Sequence, residues 1–332
     1  MSQMEDRIIV KHHEKTAHGL LLALSRISGL LVDGSYVYRG VGDAKLELLP
    51  CAFRHGVRFM VDKQPYCGPG ETYGEQVRVE LGTLLAFLEA VDRQGRSIPE
   101  DSQDLRFKLQ DMLTWVGIGK KAIDCWPPSE VLSMLGLAQH YGVPTRLLDW
   151  SRNPNVAAYF AAYSACHRQT QNGNLCVWAM LEDILMLESM LDDGGFRRSK
   201  RPIRLVTVPA ADNPNVRAQQ GVFVVHQQYD VHEHEEFFPE PYDQLIKSSL
   251  HLFRRVDRAL FFKFTLPQSE APQLLRLLAR ESVDAAMMFP SLDGAARHIQ
   301  EKWLWPNSKS SNDAQLPQFK DRLKKYLKPD SG

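Results

Sequence analysis

The sequence predicts an α+β fold: a mixed or antiparallel sheet core with a helical insertion at about residues 72–140. Two observations predict it. Apolar residues recur at helical spacing through the first half, while short alternating or continuous apolar runs crowd the second. The chain also carries no internal repeat and no clear low-complexity linker, so one main body is expected over residues 1–305, followed by a polar tail at 306–332.

The chain has 332 residues, 44% hydrophobic and 24% charged, enough to bury a core of ordinary globular composition. Forty basic side chains balance forty acidic ones, and this neutrality gives no global reason to expect a nucleic-acid or membrane protein. No apolar run approaches the roughly 18 residues that span a bilayer. The nearest, Leu20 to Leu24, is ended by Arg26, and Met1 to Lys15 holds no apolar stretch of a signal peptide. Cys51, Cys67, Cys125, Cys166 and Cys176 are odd in number and contain no C-x-x-C pair. They read as reduced thiols, and the expected location is the cytoplasm.

Taken in order, Thr16 to Leu31 suits a helix, and Ser35 to Tyr38 alternates like a short strand ending in Arg39-Gly40. Asp43 to Gly70 reads as irregular, punctuated by Pro50, Pro65, Gly68, Pro69 and Gly70. Helices are expected at about Thr72 to Arg93 and Ser102 to Val116, and another opens at Ser129 and reaches about Tyr141. Strands are expected at Leu175 to Met180, Ile203 to Val208, Gly221 to His226, Ala259 to Leu266 and Asp284 to Phe289. Further helices are expected at Asp183 to Leu191, Ser269 to Arg280 and Leu292 to Trp303, with a short basic one at Lys320 to Leu327.

The densest segment runs from Gln139 to Ala162. Gly142 and Pro144 stop the preceding helix, after which Thr145 to Leu148 can run as a short buried strand with Asp149 and Trp150 at its exit. Asn153-Pro154 is a helix start, because Asn caps free amides and proline in the first turn sacrifices no hydrogen bond. His140, Tyr141, Thr145, Arg146 and Asp149 therefore crowd around one turn. Arg146 and Asp149 suit a bidentate pair, and Trp150 offers a stacking face. Two readings are open at this point: a structural hub, or a pocket in which fixed donors, a helix N-terminus and aromatics receive a phosphate or nucleotide.

Tyr38-Arg39-Gly40, followed by Leu49 to Arg54, resembles the opening of the FRG domain family, whose motif is [FY]-R-G. The block Ala138 to Trp150 is similar to the most distinctive stretch of that family, and Asn153-Pro154, Ala157 and Tyr159-Phe160-Ala161 continue it. Arg217 to Phe223 and Phe289 to Gly294 extend the resemblance over roughly residues 30–300.

The chain is also distantly similar to the ADP-ribosyltransferase fold. That similarity implies NAD as substrate, with Tyr38, Arg39 and Gly40 on a first core strand and Thr145 to Ser151 on a second. It implies a third element near Gln219, Gln220 and Gly221, where amides stand in place of the usual glutamate. On this reading Arg39, Asp149, Gln219 and Gln220 are the candidate catalytic residues. Tyr38, Arg39, Gly40, Arg54, His140, Tyr141, Thr145, Arg146 and Trp150 are the candidate binding residues. Arg39 and Arg146 would grip the pyrophosphate, Trp150 or Tyr141 would stack on a ring, and His140 would meet a ribose hydroxyl. The implied product is ADP-ribose on a macromolecular acceptor, in a bacterial toxin or defence setting. A non-catalytic ligand-sensing or protein-interaction module is the alternative.

Other motifs carry less. Gly40-Val41-Gly42 lacks the third glycine of a dinucleotide loop, and Gly117-Ile118-Gly119-Lys120-Lys121 lacks the Ser or Thr of a P-loop. His232-Glu233-His234-Glu235 reads as a solvated acidic loop, so no metal is expected. The five cations between Phe196 and Arg204 read as a solvated face or, alternatively, as a grip on an RNA or DNA acceptor over 197–204.

Overall fold

A computed structural model describes residues 9–31, 35–117, 123–168, 172–182, 203–208, 214–231, 234–248 and 261–305. In chain order the elements are β1 (Ile9–His13), α1 (Ala17–Leu24), β2 (Tyr36–Val41), β3 (Arg58–Val61), β4 (Gln64–Cys67), α2 (Tyr73–Asp92) and α3 (Gln103–Gly117). They continue with β5 (Ile123–Trp126), α4 (Leu132–His140), β6 (Leu147–Ser151), α5 (Pro154–Cys166), β7 (Asn174–Leu181) and β8 (Ile203–Val206). The last are α6 (Pro214–Ala218), β9 (Gly221–His226), β10 (Gln228–Val231), α7 (Tyr242–Ser248), β11 (Phe261–Pro267), α8 (Ala271–Arg280), α9 (Ala285–Met288) and α10 (Leu292–Lys302).

The fold is α+β, as the sequence predicts. Its core is a seven-stranded mixed sheet in the order β1-β11-β7-β2-β6-β9-β8. Only β1 and β11 run parallel within it; the other neighbours are antiparallel. β7, between β11 and β2, is buried along almost its whole length and reads as a continuous apolar run. Helix α5 lies across β2 and β7, with α8 and α1 packed beyond it. The small side chains Ala157, Ala158, Ala161, Ala162 and Ala165 make that close approach possible.

Local chemistry explains the helix starts. The Asn153 carboxamide accepts from Asn155 N–H, and Pro154 fills the first turn. Thr72 and Glu75 close a capping box on α2. Residues 72–140 hold α2, α3, β5 and α4, and α2 packs on both α4 and the β3–β4 hairpin.

Several elements depart from the sequence expectation. Asp284 to Phe289 forms no strand: the Asp284 carboxylate accepts from Met287 N–H and caps the short helix α9. A short apolar run of good helix formers does not separate helix from strand by periodicity alone. The helix expected to reach Leu31 ends at Leu24 and gives way to a 3₁₀ turn, Arg26–Ser28, with Gly29 left-handed behind it. The strand expected from Thr145 runs instead from Leu147 to Ser151. The irregular stretch Asp43 to Gly70 contains the β3–β4 hairpin. Its two turn residues, Asp62 and Lys63, take positive φ of 50 and 65 without a glycine, which hid the turn. β1, β5, β10, α6 and α7 were likewise without a clear signal. The helix expected at Asp183 to Leu191, the cations of 197–202 and the tail at 306–332 lie outside the described residues.

Candidate functional site

β2 and β6 are paired in the sheet through one register pair only, Tyr38 with Ser151. Beyond that pair Arg39 Nη1 donates to the backbone carbonyl of Asp149 at 2.6 Å, taking a position a ladder bond would otherwise hold. A cavity of about 600 Å³ opens at this point, within the usual size of a small-molecule site.

From β2 the cavity receives Tyr38, Arg39 and Gly40, and from β6 it receives Asp149, Trp150 and Ser151. Gln139, His140 and Tyr141 reach it from the end of α4, and Val156, Ala157 and Phe160 from α5. Asn215 and Gln219 close another side. The wall opposite is Phe289, Ser291, Asp293 and Arg297, at the start of α10.

Arg39 is, with Arg297, one of two described arginines lining the cavity. Its Nη1 lies 3.7 Å from Asp149 Oδ2, and the two side chains are 18% and 63% exposed. Burial pulls the guanidinium below its ordinary value and Asp149 pulls it back up, so it stays charged at any physiological pH. Asp149 is held again from the other side, where Gln139 Nε2 donates to Oδ1 at 2.6 Å. Thr145 Oγ1 in turn donates to Gln139 Oε1.

His140 Nε2 accepts from Asn215 Nδ2 at 2.8 Å. Burial lowers the imidazole below its ordinary value, against the pull of Asp149, which favours the neutral ring this contact requires. Burial pushes the Tyr38 phenol up to about 12 despite the nearby Arg26 cation. On the far wall Arg297 Nε bonds Asp293 at 2.8 Å while its guanidinium lies 5.0 Å over the Phe289 ring.

The structure brings together Tyr38, Arg39, Gly40, His140, Tyr141, Asp149, Trp150 and Gln219. Trp150 differs from the expected stacking face: it is 4% exposed, so most of its ring packs in the core. Tyr141, at 70% exposure, is the freer aromatic. Gln219 Nε2 donates to the Met288 carbonyl, tying β9's approach to the opposite wall.

Four expected residues lie elsewhere. Arg146 is fully buried and pairs with Glu80, correcting the expected bond to Asp149; its Nε and Nη2 reach Glu80 at 2.7 and 2.9 Å. Its Nη1 donates to Gln228 Oε1 at 2.9 Å, and Glu80 also accepts from Gln76 and Trp126. This hub fastens α2 and β5 to the start of β6. Thr145 is 1% exposed and meets Gln139 rather than the cavity. Arg54 folds back on its own loop, donating from Nε and Nη2 to the Leu49 carbonyl. Gln220 is exposed at a turn with φ 47, and its carbonyl accepts from Arg152 N–H.

Gln139, Phe160, Asn215, Ser291, Asp293 and Arg297 join the site without having been singled out in the sequence. Gln139, Phe160, Ser291 and Asp293 did stand inside stretches that carried the family resemblance, Ala138 to Trp150, Tyr159 to Ala161 and Phe289 to Gly294. Among the described residues no cluster of His, Cys, Asp and Glu has metal-holding geometry. No helix among them is long and apolar enough to cross a membrane.

The sheet and its split define an α+β protein with a mixed polar and aromatic cavity at the β2–β6 divergence. Within that class, residues 34–170 match the FRG domain. The match takes in β2, the end of α4, β6 and α5, whereas Asn215, Gln219 and the Phe289–Arg297 wall lie beyond it. No curated protein and no solved structure matches the chain.

Proposed function

We propose that this cavity binds an NAD-type dinucleotide and that the chain is an ADP-ribosyltransferase-like enzyme acting on a macromolecular acceptor. The observation that carries the reading is that a guanidinium, Arg39, and a largely exposed carboxylate, Asp149, face one cavity of about 600 Å³. Arg39 meets the pyrophosphate, where charge-assisted donors act most strongly. Tyr141 and Phe289 flank the ligand with aromatic surface. Asp149 faces the anomeric carbon. The bond from that carbon to the nicotinamide nitrogen breaks, the electron pair leaves with neutral nicotinamide, and the carboxylate stabilises the positive charge left on the ribose. The acceptor nucleophile forms the new bond and releases its proton to Asp149 or solvent.

A sensing module that binds the same ligand without turnover is the second reading, favoured by the engagement of Arg39 with Asp149. Mass spectrometry of the protein incubated with NAD, alone and with cell-lysate protein or RNA, separates the two. Nicotinamide release that disappears in both Arg39→Ala and Asp149→Asn supports the enzyme. A ligand-induced rise in melting temperature without release supports the sensor. Neither release nor a shift overturns both.

A further inference from the structure

We propose that Thr145 and Gln139 are positioning residues that aim the Asp149 carboxylate, an assignment that rests on the functional reading above. Thr145 is 1% exposed and does not line the cavity, so it acts through other groups.

The direction of the relay follows from counting protons. Leu147 N–H can only donate, and it donates to Thr145 Oγ1 at 3.2 Å. That leaves the single hydroxyl proton of Thr145 for Gln139 Oε1. With its oxygen committed, the Gln139 amide presents its NH₂ group to Asp149, and Nε2 donates to Oδ1 at 2.6 Å. The reversed amide would set oxygen against a carboxylate.

Asp149 needs this support. Its side chain is 63% exposed, and its ion pair with Arg39 Nη1 spans 3.7 Å from Oδ2. A carboxylate held by one long ion pair in water rotates readily. The relay fixes Oδ1 from the α4 side and leaves Oδ2 on the side of Arg39. Thr145 is anchored in turn by the backbone, since its carbonyl accepts from Ala52 N–H at 3.1 Å.

The test uses full-length protein in three forms: wild type, Thr145→Val, which keeps the shape and removes the hydroxyl, and Thr145→Ser, which restores it. Loss of a hydrogen bond that orients a charged group is expected to lower kcat about tenfold in Thr145→Val with KM unchanged, and Thr145→Ser should recover to within about twofold. A second readout needs no turnover. The side-chain NH₂ signals of Gln139 in a ¹⁵N spectrum should exchange with solvent about tenfold faster in Thr145→Val than in wild type. An unchanged Gln139 exchange rate, or a Thr145→Val enzyme with wild-type kcat, overturns the relay. A wild-type protein without turnover sinks the transferase reading alone, and the Gln139 signals still decide the relay. A Thr145→Val loss that Thr145→Ser fails to recover also overturns it, because the defect is then one of packing.

Discussion

Gly40 lies so near Ala157 that a Cβ on the glycine would sit 1.8 Å from the Ala157 carbonyl oxygen and 2.7 Å from Ala161 N. The obstacle is helix backbone, which cannot swing aside as a side chain can. The glycine of the Tyr38-Arg39-Gly40 motif thus lets α5 press against β2 and carries Phe160 to the cavity edge. Gly40→Ala should lower stability by at least about 3 kcal/mol, the upper part of the usual overpacking range. Urea unfolding of the two proteins measures it. A loss below about 1 kcal/mol would mean that the sheet and α5 separate easily.

Arg146 and Glu80 give a different kind of prediction. Both side chains are out of solvent, at 0% and 1% exposure, and Nε, Nη1 and Nη2 of the guanidinium each bond within the protein. Removing one partner strands a buried charge, so Arg146→Met or Glu80→Met should each cost about 3–5 kcal/mol. The double variant should cost less than the sum, because two apolar chains can share the space. A double-mutant cycle by chemical denaturation shows the coupling directly, and strict additivity would contradict the pair.

The contrast between these residues explains what was legible in the sequence. Gly142, Pro144 and the Asn153-Pro154 start located the turn and α5, because each acts through local backbone chemistry. The α+β class followed from periodicity, and the crowding of functional groups around Asp149 followed from the density of the 139–150 block. The Arg146 assignment went astray for a physical reason. Residues 146 and 149 are an odd number apart, so an extended chain sends them to opposite faces. Arg146 meets the core while Asp149 meets the cavity. Its true partner, Glu80, is 66 residues away on a helix, and no local pattern reports such a contact. The Arg297 wall was hidden in the same way, and the hairpin turn at Asp62-Lys63 was hidden by its lack of glycine.

Glu301, on α10, supplies a pH prediction. It is 2% exposed, its Oε2 accepts from Ala285 N–H, and burial pushes its carboxyl up to about 7, with Asp284 adding to the rise. The folded state therefore holds a proton that the unfolded state releases near pH 4.5. The stability this gives is fully present below that point and is lost as pH rises through about 7. Glu301→Gln, which stays neutral, should show a stability curve flatter by about 3 kcal/mol across that window. Thermal melts of both proteins between those limits check it. Parallel curves would show that Glu301 is ionised in the fold throughout. Because α10 also carries Asp293 and Arg297, loosening at higher pH should reach the cavity wall.

Asp149→Asn separates the charge of the candidate carboxylate from its shape. An asparagine oxygen can still accept from Gln139 Nε2, so the relay and the cavity outline survive. The side chain is 63% exposed and its ion pair with Arg39 is long, so stability should change by no more than about 0.5 kcal/mol. Dinucleotide binding should hold or tighten, because Arg39 loses its competing anion and turns to the ligand phosphates. On the transferase reading, which sets the Asp149 charge against the ribose, turnover should fall at least about a hundredfold. Calorimetric titration with NAD and a nicotinamide-release assay on the same preparation read both quantities. Tighter binding with lost turnover assigns the charge to the transition state. Equal loss of binding and turnover would instead make Asp149 a ligand-holding group and return the cavity to the sensing reading.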